Sequence, residues 1–242
     1  LKKLGLALDL SHAGFAAVLD ESGATVLAQS ARPAGTRHDD VAAWTEGLLT
    51  QAGGTFADMA WIAVGVGPGS FTGIRIAMSF AQGLALPRAL PVHGFTSFEA
   101  LHLSALGAGV LEEGQASVAV IPANSGRFYV SQSLGDSGAL MTGEDLAVLC
   151  SGSRVPSPPT PLPEGEGSQK FSVVLIAPEV TPAMTARAVG FAGVWTPGDQ
   201  WDAVAIARHA RAHHRTLARP VYLQLSAAEE KFGAADHEGA TV

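Results

Sequence analysis

The residues best placed to do chemistry sit in one stretch, "GVGPGSFTGIRI", Gly65 to Ile76. Four glycines, a proline and the hydroxyls of Ser70 and Thr72 lie between an apolar run and a helical pattern. Amides near Thr72 and Gly73, at the start of a helix, could cradle an anion. Ser70 and Thr72 could instead cap those amides with their own oxygens while the glycines let the chain turn sharply. Known phosphate loops do not fit. A Walker A loop needs G-x-x-x-x-G-K-[ST], and no lysine lies between Lys3 and Lys170. The dinucleotide fingerprint fails on spacing, because Gly65, Gly67, Gly69 and Gly73 are two, two and four apart. "GPGSFTG" also lacks the G-x-S-x-G frame of a nucleophile elbow. Capping with tight packing fits the composition better than ligand binding.

Two further groups invite the same question. Asp9 closes the first apolar run beside Ser11. A carboxylate there can hold Mg²⁺ or an activated water, or it can bond the amides of residues 11 and 12 as a turn former. A second converging carboxylate is not identifiable. His209, His213 and His214 include one i,i+4 pair, which zinc accepts. With neither H-E-x-x-H nor an obvious third ligand, no metal site is expected.

Positioning these residues requires a scaffold. "LGLALDL", "FAAVLD" and "TVLAQSA" read as three strands joined by the tight turns "SHAG" and "ESG", an antiparallel meander. A helix within Asp39 to Gln51 puts Val41, Trp44, Leu48 and Leu49 on one face and ends at Gly53–Gly54. "MAWIAVGV" is a nearly all-apolar strand, so it is expected at the centre of its sheet. The helix opened by Thr72 or Gly73 carries Ile74, Ala77, Met78, Ala81 and Ala85 as a stripe of mostly small residues and stops at Pro87. A strand "ALPVHG" and a helix "TSFEALHLSALGAG" follow, Thr96 and Glu99 being spaced as a capping box.

After Gly114 the pattern restarts: strands "ASVAVI", "RFYVSQS" and "GALMT", then a helix "TGEDLAVLC" with Thr142 and Asp145 as a capping pair. Ser151 to Gln169 is a Pro-, Ser- and Gly-rich loop. "FSVVLIA" reads as a strand, Thr181 and Pro182 open a helix, and Trp201 to Thr216 forms the last long helix before "RPVYLQL". Two successive meanders, each followed by helices and further strands, suggest a duplicated mixed-sheet α/β unit of the ribonuclease H type. A single Rossmann-like domain is the alternative, against which the early tight turns argue.

Composition bounds the function. At 242 residues the chain can bury a substantial core, and it is 47% hydrophobic and only 15% charged. Such a sparse charge layer leaves apolar surface for a partner. Cys150 is the single cysteine, which excludes an intrachain disulfide or cysteine cluster and suits a reducing compartment. Asp9 interrupts the apolar run behind the basic start, and no charge-free membrane span stands out, so a cytoplasmic location without membrane association is expected. A net charge of −7 disfavours a free-standing nucleic-acid binder, yet "RHARAHHRTLAR" gathers Arg208, Arg211, Arg215 and Arg219. Arg208, Arg211 and Arg215 are candidates for facing RNA, with the basic end of a solvated helix as the plainer reading.

"GVGPGSFTGIRIAMSFAQGLAL" resembles the most characteristic segment of the TsaB (YeaZ) family, and the likeness extends to "LGLALDLSHAGFAAVL" and "RPVYLQL". The resemblance implies a duplicated ribonuclease H-like, two-lobe fold of the actin, Hsp70 and sugar-kinase superfamily. Residues 1–110 would form the first lobe, completed by a helix returning within 201–225. Residues 111–200 would form a smaller second lobe containing the Pro-rich loop 151–169, and 226–242 a flexible tail. It implies a non-catalytic subunit that pairs with a TsaD-like catalytic subunit in N6-threonylcarbamoyladenosine modification of tRNAs reading ANN codons.

ATP, Mg²⁺ and threonylcarbamoyl-AMP would be used by that complex and none bound tightly by this chain alone. A TsaE-like ATPase and tRNA would be met only within the complex, and the isolated chain would form a homodimer. Gly67, Pro68, Gly69, Ser70, Phe71, Thr72, Gly73 and Arg75 match the family pattern, as do Asp9 and Ser11, which would be a vestigial ligand site. The helix from Ile74, with Ala77, Met78 and Ala81, is the expected interface. "GTRHDD", "PANSGRFY" (Pro122 to Tyr129) and Gln224 depart from the family pattern and weaken the case for an ancestral ligand site. An autonomous Mg-ATP-dependent phosphotransferase or ATPase of the actin-like fold is the alternative. Peptidase chemistry, an old label of the family, lacks its metal-ligand pattern here.

Overall fold

The computed structural model describes residues 2–12, 14–32, 40–111, 117–150, 174–178, 193–197 and 201–213. Strands β1 (Leu4–Asp9), β2 (Phe15–Asp20) and β3 (Val26–Ala31) form the first meander, followed by helix α1 (Val41–Gln51) and strand β4 (Met59–Gly65). Helix α2 (Phe71–Ala85), strand β5 (Val92–Phe95) and helix α3 (Ser97–Gly107) complete the first run. The second run comprises β6 (Ser117–Pro122), β7 (Phe128–Ser131), β8 (Ala139–Met141), α4 (Gly143–Cys150), β9 (Val174–Ile176) and β10 (Gly193–Trp195). Helix α5 (Ala203–Ala212) closes the described chain.

The strands form two five-stranded sheets, ordered β3-β2-β1-β4-β5 and β10-β9-β6-β7-β8. In the first, β1 and β2 and then β2 and β3 pair antiparallel, whereas β4 joins β1 and β5 joins β4 in parallel. The second sheet repeats that pattern: β7 and β8 extend an antiparallel meander from β6, and β9 and β10 are parallel additions. The chain therefore has a two-lobe α/β architecture.

Strand β1 is buried along its whole length because both faces of its sheet are covered. Leu4, Leu6 and Leu8 face α1 and α2, in a core with Leu48, Leu49, Ile62, Val64, Ile74 and Ala77. Ala7, Phe15, Ala17 and Ala63 point the other way, into a core shared with Phe98 and Leu101 of α3, Ile206 of α5, and Ala119 and Ile121 of the second sheet. Helix α3 thus lies between the lobes, and its apolar residues are distributed around the helix rather than along one stripe. Trp201, just ahead of α5, stacks on Phe15 with ring centroids 4.9 Å apart.

The local signals operate as physical chemistry requires. The Thr96 Oγ1 accepts from Glu99 N at 3.1 Å while a Glu99 carboxylate oxygen accepts from Thr96 N at 2.6 Å. Thr142 and Asp145 repeat the exchange at 3.2 and 2.9 Å. Gly53, with φ +73°, ends α1, and Gly54 N–H reaches back to the Leu49 carbonyl. Three details differ from the sequence expectations. Helix α2 begins at Phe71, α5 begins at Ala203 after an Asp202 cap, and β10 is a strand the periodicity did not single out. Three residues are too few to carry a period. The Pro-rich loop 151–169, the helix from Thr181, "RPVYLQL" with Gln224, and the tail 226–242 lie outside the described residues.

Candidate functional site

The glycine stretch bridges β4 and α2 beside the end of β1, and parallel pairing brings those ends together. Asp9 is 2% exposed, and its Oδ1 accepts from Ser11 N at 2.7 Å. A Cβ added to Gly65 would lie 2.5 Å from the Asp9 Cγ, so the neighbouring strand must carry glycine there. The loop is then stitched on both sides. Ser70 N–H donates to the Ser11 carbonyl at 2.7 Å, and Ser97 N–H, at the start of α3, donates to the Gly67 carbonyl at 2.8 Å. The hydroxyls of Ser11 and Ser97 meet at 2.8 Å, and His12 Nε2 lies 3.0 Å from the Pro68 carbonyl. The Gly67–Pro68 peptide is cis, and Gly67 and Gly69 both hold positive φ.

These bonds decide between anion cradle and packing joint. Ser70 caps α2, its Oγ accepting from Gly73 N at 3.2 Å. The amide that an anion would need is therefore engaged within the chain. Thr72 is exposed and takes no part in the cap. Asp9 and Ser11 are brought together, but as the turn-forming pair rather than as an open carboxylate.

The expected interface stripe needs correcting. Gly73, Ile74, Ala77, Met78 and Ala81 are buried, and all but the glycine belong to the chain's own core beneath α2. A helix that follows a parallel strand must lie back on the sheet, so its most apolar stripe covers strands rather than a partner. The outward face of α2 consists of Phe71, Thr72, Arg75, Ser79, Gln82 and Gly83, all exposed, and continues to Leu86 just beyond it. Phe71 is 41% and Leu86 83% exposed, and the Arg75 guanidinium lies 5.0 Å over the Phe71 ring. Arg75 is thus on the exposed face, set over an aromatic ring, and pairs with no carboxylate among the described residues.

The basic patch divides in two. Arg208 is exposed, whereas Arg211 lies 4.8 Å over the Trp61 ring and donates from Nη1 to the Ser22 carbonyl. Trp61 in turn donates from Nε1 to the Glu21 carbonyl at 2.8 Å, and its ring occupies the space over Gly5, where a Cβ would collide with it. Arg215 lies outside the described residues. The His209 and His213 rings lie with centroids 4.0 Å apart, tilted by 36°, and His209 Nε2 lies 3.2 Å from the Glu99 carboxylate. That contact ties α5 to the capping box of α3, a link that spacing alone does not reveal. Among the described residues no group of three or more His, Cys, Asp or Glu side chains is arranged to hold a metal. Nor is any described helix long and apolar enough to cross a membrane.

Comparison with known proteins bears on what this arrangement serves. A profile of the family described as "TsaD: tRNA N6-adenosine threonylcarbamoyltransferase" matches residues 34–148, just under half of the chain. The tRNA threonylcarbamoyladenosine biosynthesis protein TsaB of Escherichia coli K12 is 35% identical over 102 residues, 42% of this chain and 43% of that protein. The chain is homologous to TsaB over this stretch. TsaB of Haemophilus influenzae is 36% identical over 85 residues, 35% of each protein. The aligned stretch thus spans less than half the length of these TsaB relatives. The solved structure of YeaZ from Pseudomonas aeruginosa superposes over 90% of this chain and 100% of its own with a TM-score of 0.63, at 23% identity. At that identity the likeness establishes the fold alone, a two-lobe fold shared with that structure.

Proposed function

We propose that this chain is a non-catalytic subunit that pairs with a TsaD-like catalytic subunit in N6-threonylcarbamoyladenosine modification of tRNA. The observation that carries this reading is the outward face of α2. The buried stripe of α2 is spent on the sheet, yet Phe71 at its start, beneath Arg75, and Leu86 at its end remain 41% and 83% exposed. Exposed large apolar side chains at the two ends of a helix face, with an arginine set over one of them, are of the residue types that anchor interfaces. The homology to TsaB over part of the chain and the match to the TsaD family model support a TsaD-like partner. Gly67 to Ser70 serve as the joint that sets this face, and Asp9 and Ser11 as remnants of a ligand site now used to hold that joint.

In this reading ATP, Mg²⁺ and threonylcarbamoyl-AMP belong to the assembled complex, a TsaE-like ATPase joins through it, and the same α2 face pairs two copies when the partner is absent. The repeated strand order supports a duplicated ribonuclease H-like unit of the actin, Hsp70 and sugar-kinase kind. Residues 1–110 form its first lobe, with α5 returning to it, and 111–200 its second. Arg208, Arg211 and Arg215 face tRNA within the complex.

Co-expression with a TsaD-like protein tests the pairing. Arg75→Ala is expected to lose co-purification while its melting temperature stays near that of the wild type. Reconstituted tRNA threonylcarbamoylation should require both chains, and activity of this chain alone would overturn the proposal.

A further inference from the structure

A second site lies at the opposite end of the first sheet from the glycine loop. Ser22, Trp61, Pro91, His93, Arg208 and Arg211 line an open cleft of about 480 Å³. That volume falls within the range of about 300–1,000 Å³ usual for ligand clefts. Arg208 and Arg211 are three residues apart on α5, so both side chains reach the cleft from one helix face. Neither guanidinium pairs with a carboxylate among the described residues. The carboxylate of the adjoining turn, Asp20, is committed to Ala24 N at 2.9 Å and Thr25 N at 2.8 Å.

Arg211 is held in place by the Trp61 ring and by its Nη1 bonds to the Ser22 and Glu21 carbonyls. Its Nε and Nη2 remain as donors. The Trp61 ring already carries Arg211 and its Nε1 is bonded to Glu21, so a base gains little by stacking there. Two planar cations converging on one cleft suit a tetrahedral anion with several oxygens.

We propose that this cleft binds a phosphate group, held by Arg208 and the Nε–Nη2 edge of Arg211, carried on RNA or on a free mononucleotide. This goes beyond a helix that faces tRNA only in a complex, because it gives the isolated chain a phosphate site of its own. It does not depend on pairing with a TsaD-like protein.

The test is an NMR titration of the full chain, following arginine Nε–H and tryptophan indole resonances, with inorganic phosphate, adenosine monophosphate and a short single-stranded RNA as separate probes. Saturable shifts at Arg208, Arg211 and Trp61 with phosphate or the mononucleotide, weakened about tenfold or more in Arg208→Gln, support a free-nucleotide source. Shifts at those residues with RNA alone support the RNA source, and Arg208→Gln should then lower the log–log salt slope by about 0.7. Arg208 is exposed, so the variant should fold, and an unchanged melting curve checks that it does. Absence of saturable shifts with all three probes, or equal affinity in Arg208→Gln, overturns the proposal. Co-purification with the TsaD-like protein reads the pairing separately, so either reading can fail without the other.

Discussion

Gly69→Ala separates a packing joint from a ligand cradle. A Cβ on Gly69 would collide with the Ser11 carbonyl oxygen and lie 2.6 Å from the His12 Cε1, in a residue whose φ is +154°. The imidazole can move, but the carbonyl is backbone and already accepts the Ser70 N–H at 2.7 Å. It can retreat only by loosening the bond that fastens the loop to the end of β1. Overpacking of this kind costs about 1–3 kcal/mol, and a side chain in an unsuited backbone region about 1–3 kcal/mol more. A total of about 2–6 kcal/mol lowers the melting temperature of a chain this long by roughly 4–24 °C. Thermal unfolding followed by circular dichroism, with no ligand added, measures the drop. A cradle behaves in the opposite way: its glycines face open space, so alanine leaves stability alone and removes only ligand binding. A Gly69→Ala protein that melts with the wild-type midpoint would refute the argument that the loop is built into the core.

Other positions extend the same reasoning. Gly83 sits on the outward face of α2, where an added Cβ meets nothing within 4 Å. Gly83→Ala should therefore stabilise the isolated chain by about 0.5–1 kcal/mol, read from its urea midpoint, while reducing co-purification with the partner if that face is covered there. Burial lowers the His102 pKa from 6.5 to about 4. The folded imidazole thus binds fewer protons than the unfolded one in that window, so stability is complete above pH 6.5 and falls as the pH drops towards about 4. The loss amounts to about 3 kcal/mol. Urea midpoints across that range should flatten in His102→Gln; an unchanged slope would mean that another group carries the pH dependence.

The scaffold was legible where each signal was local. The meanders follow from short strands joined by turns too tight for parallel crossovers, and the capping boxes at Thr96–Glu99 and Thr142–Asp145 follow from hydroxyl and carboxylate three residues apart. Long-range contacts carry no such pattern. Nothing in the spacing of Trp61, Ser22 and Arg211 places them together, although their sequence separations of about 40 and 190 residues close through the sheet. One trace was present: Gly5, inside an otherwise apolar strand, occupies the position over which the Trp61 ring lies. The Glu99–His209 contact is hidden for a related reason, since Glu99 already has a complete local role in the capping box.

Helix α2 marks where periodicity stops being informative. Ile74, Ala77, Met78, Ala81 and Ala85 form one stripe whether they meet a sheet or another protein, because both surfaces reward small apolar residues at helical spacing. Connectivity breaks the tie: β4, α2 and β5 form a parallel crossover, which obliges α2 to lie on β1 and β4. The stripe is consumed there, and the residues left outside are those that periodicity assigns to solvent. Phe71 and Leu86 do not belong in that class, and an 83% exposed leucine gains nothing from the fold of its own chain. The functional signal therefore lies in the exceptions to the outward pattern, with Arg75 between them. The glycine loop, by fastening the first turn of α2 to β1 and α3, fixes how that surface is presented.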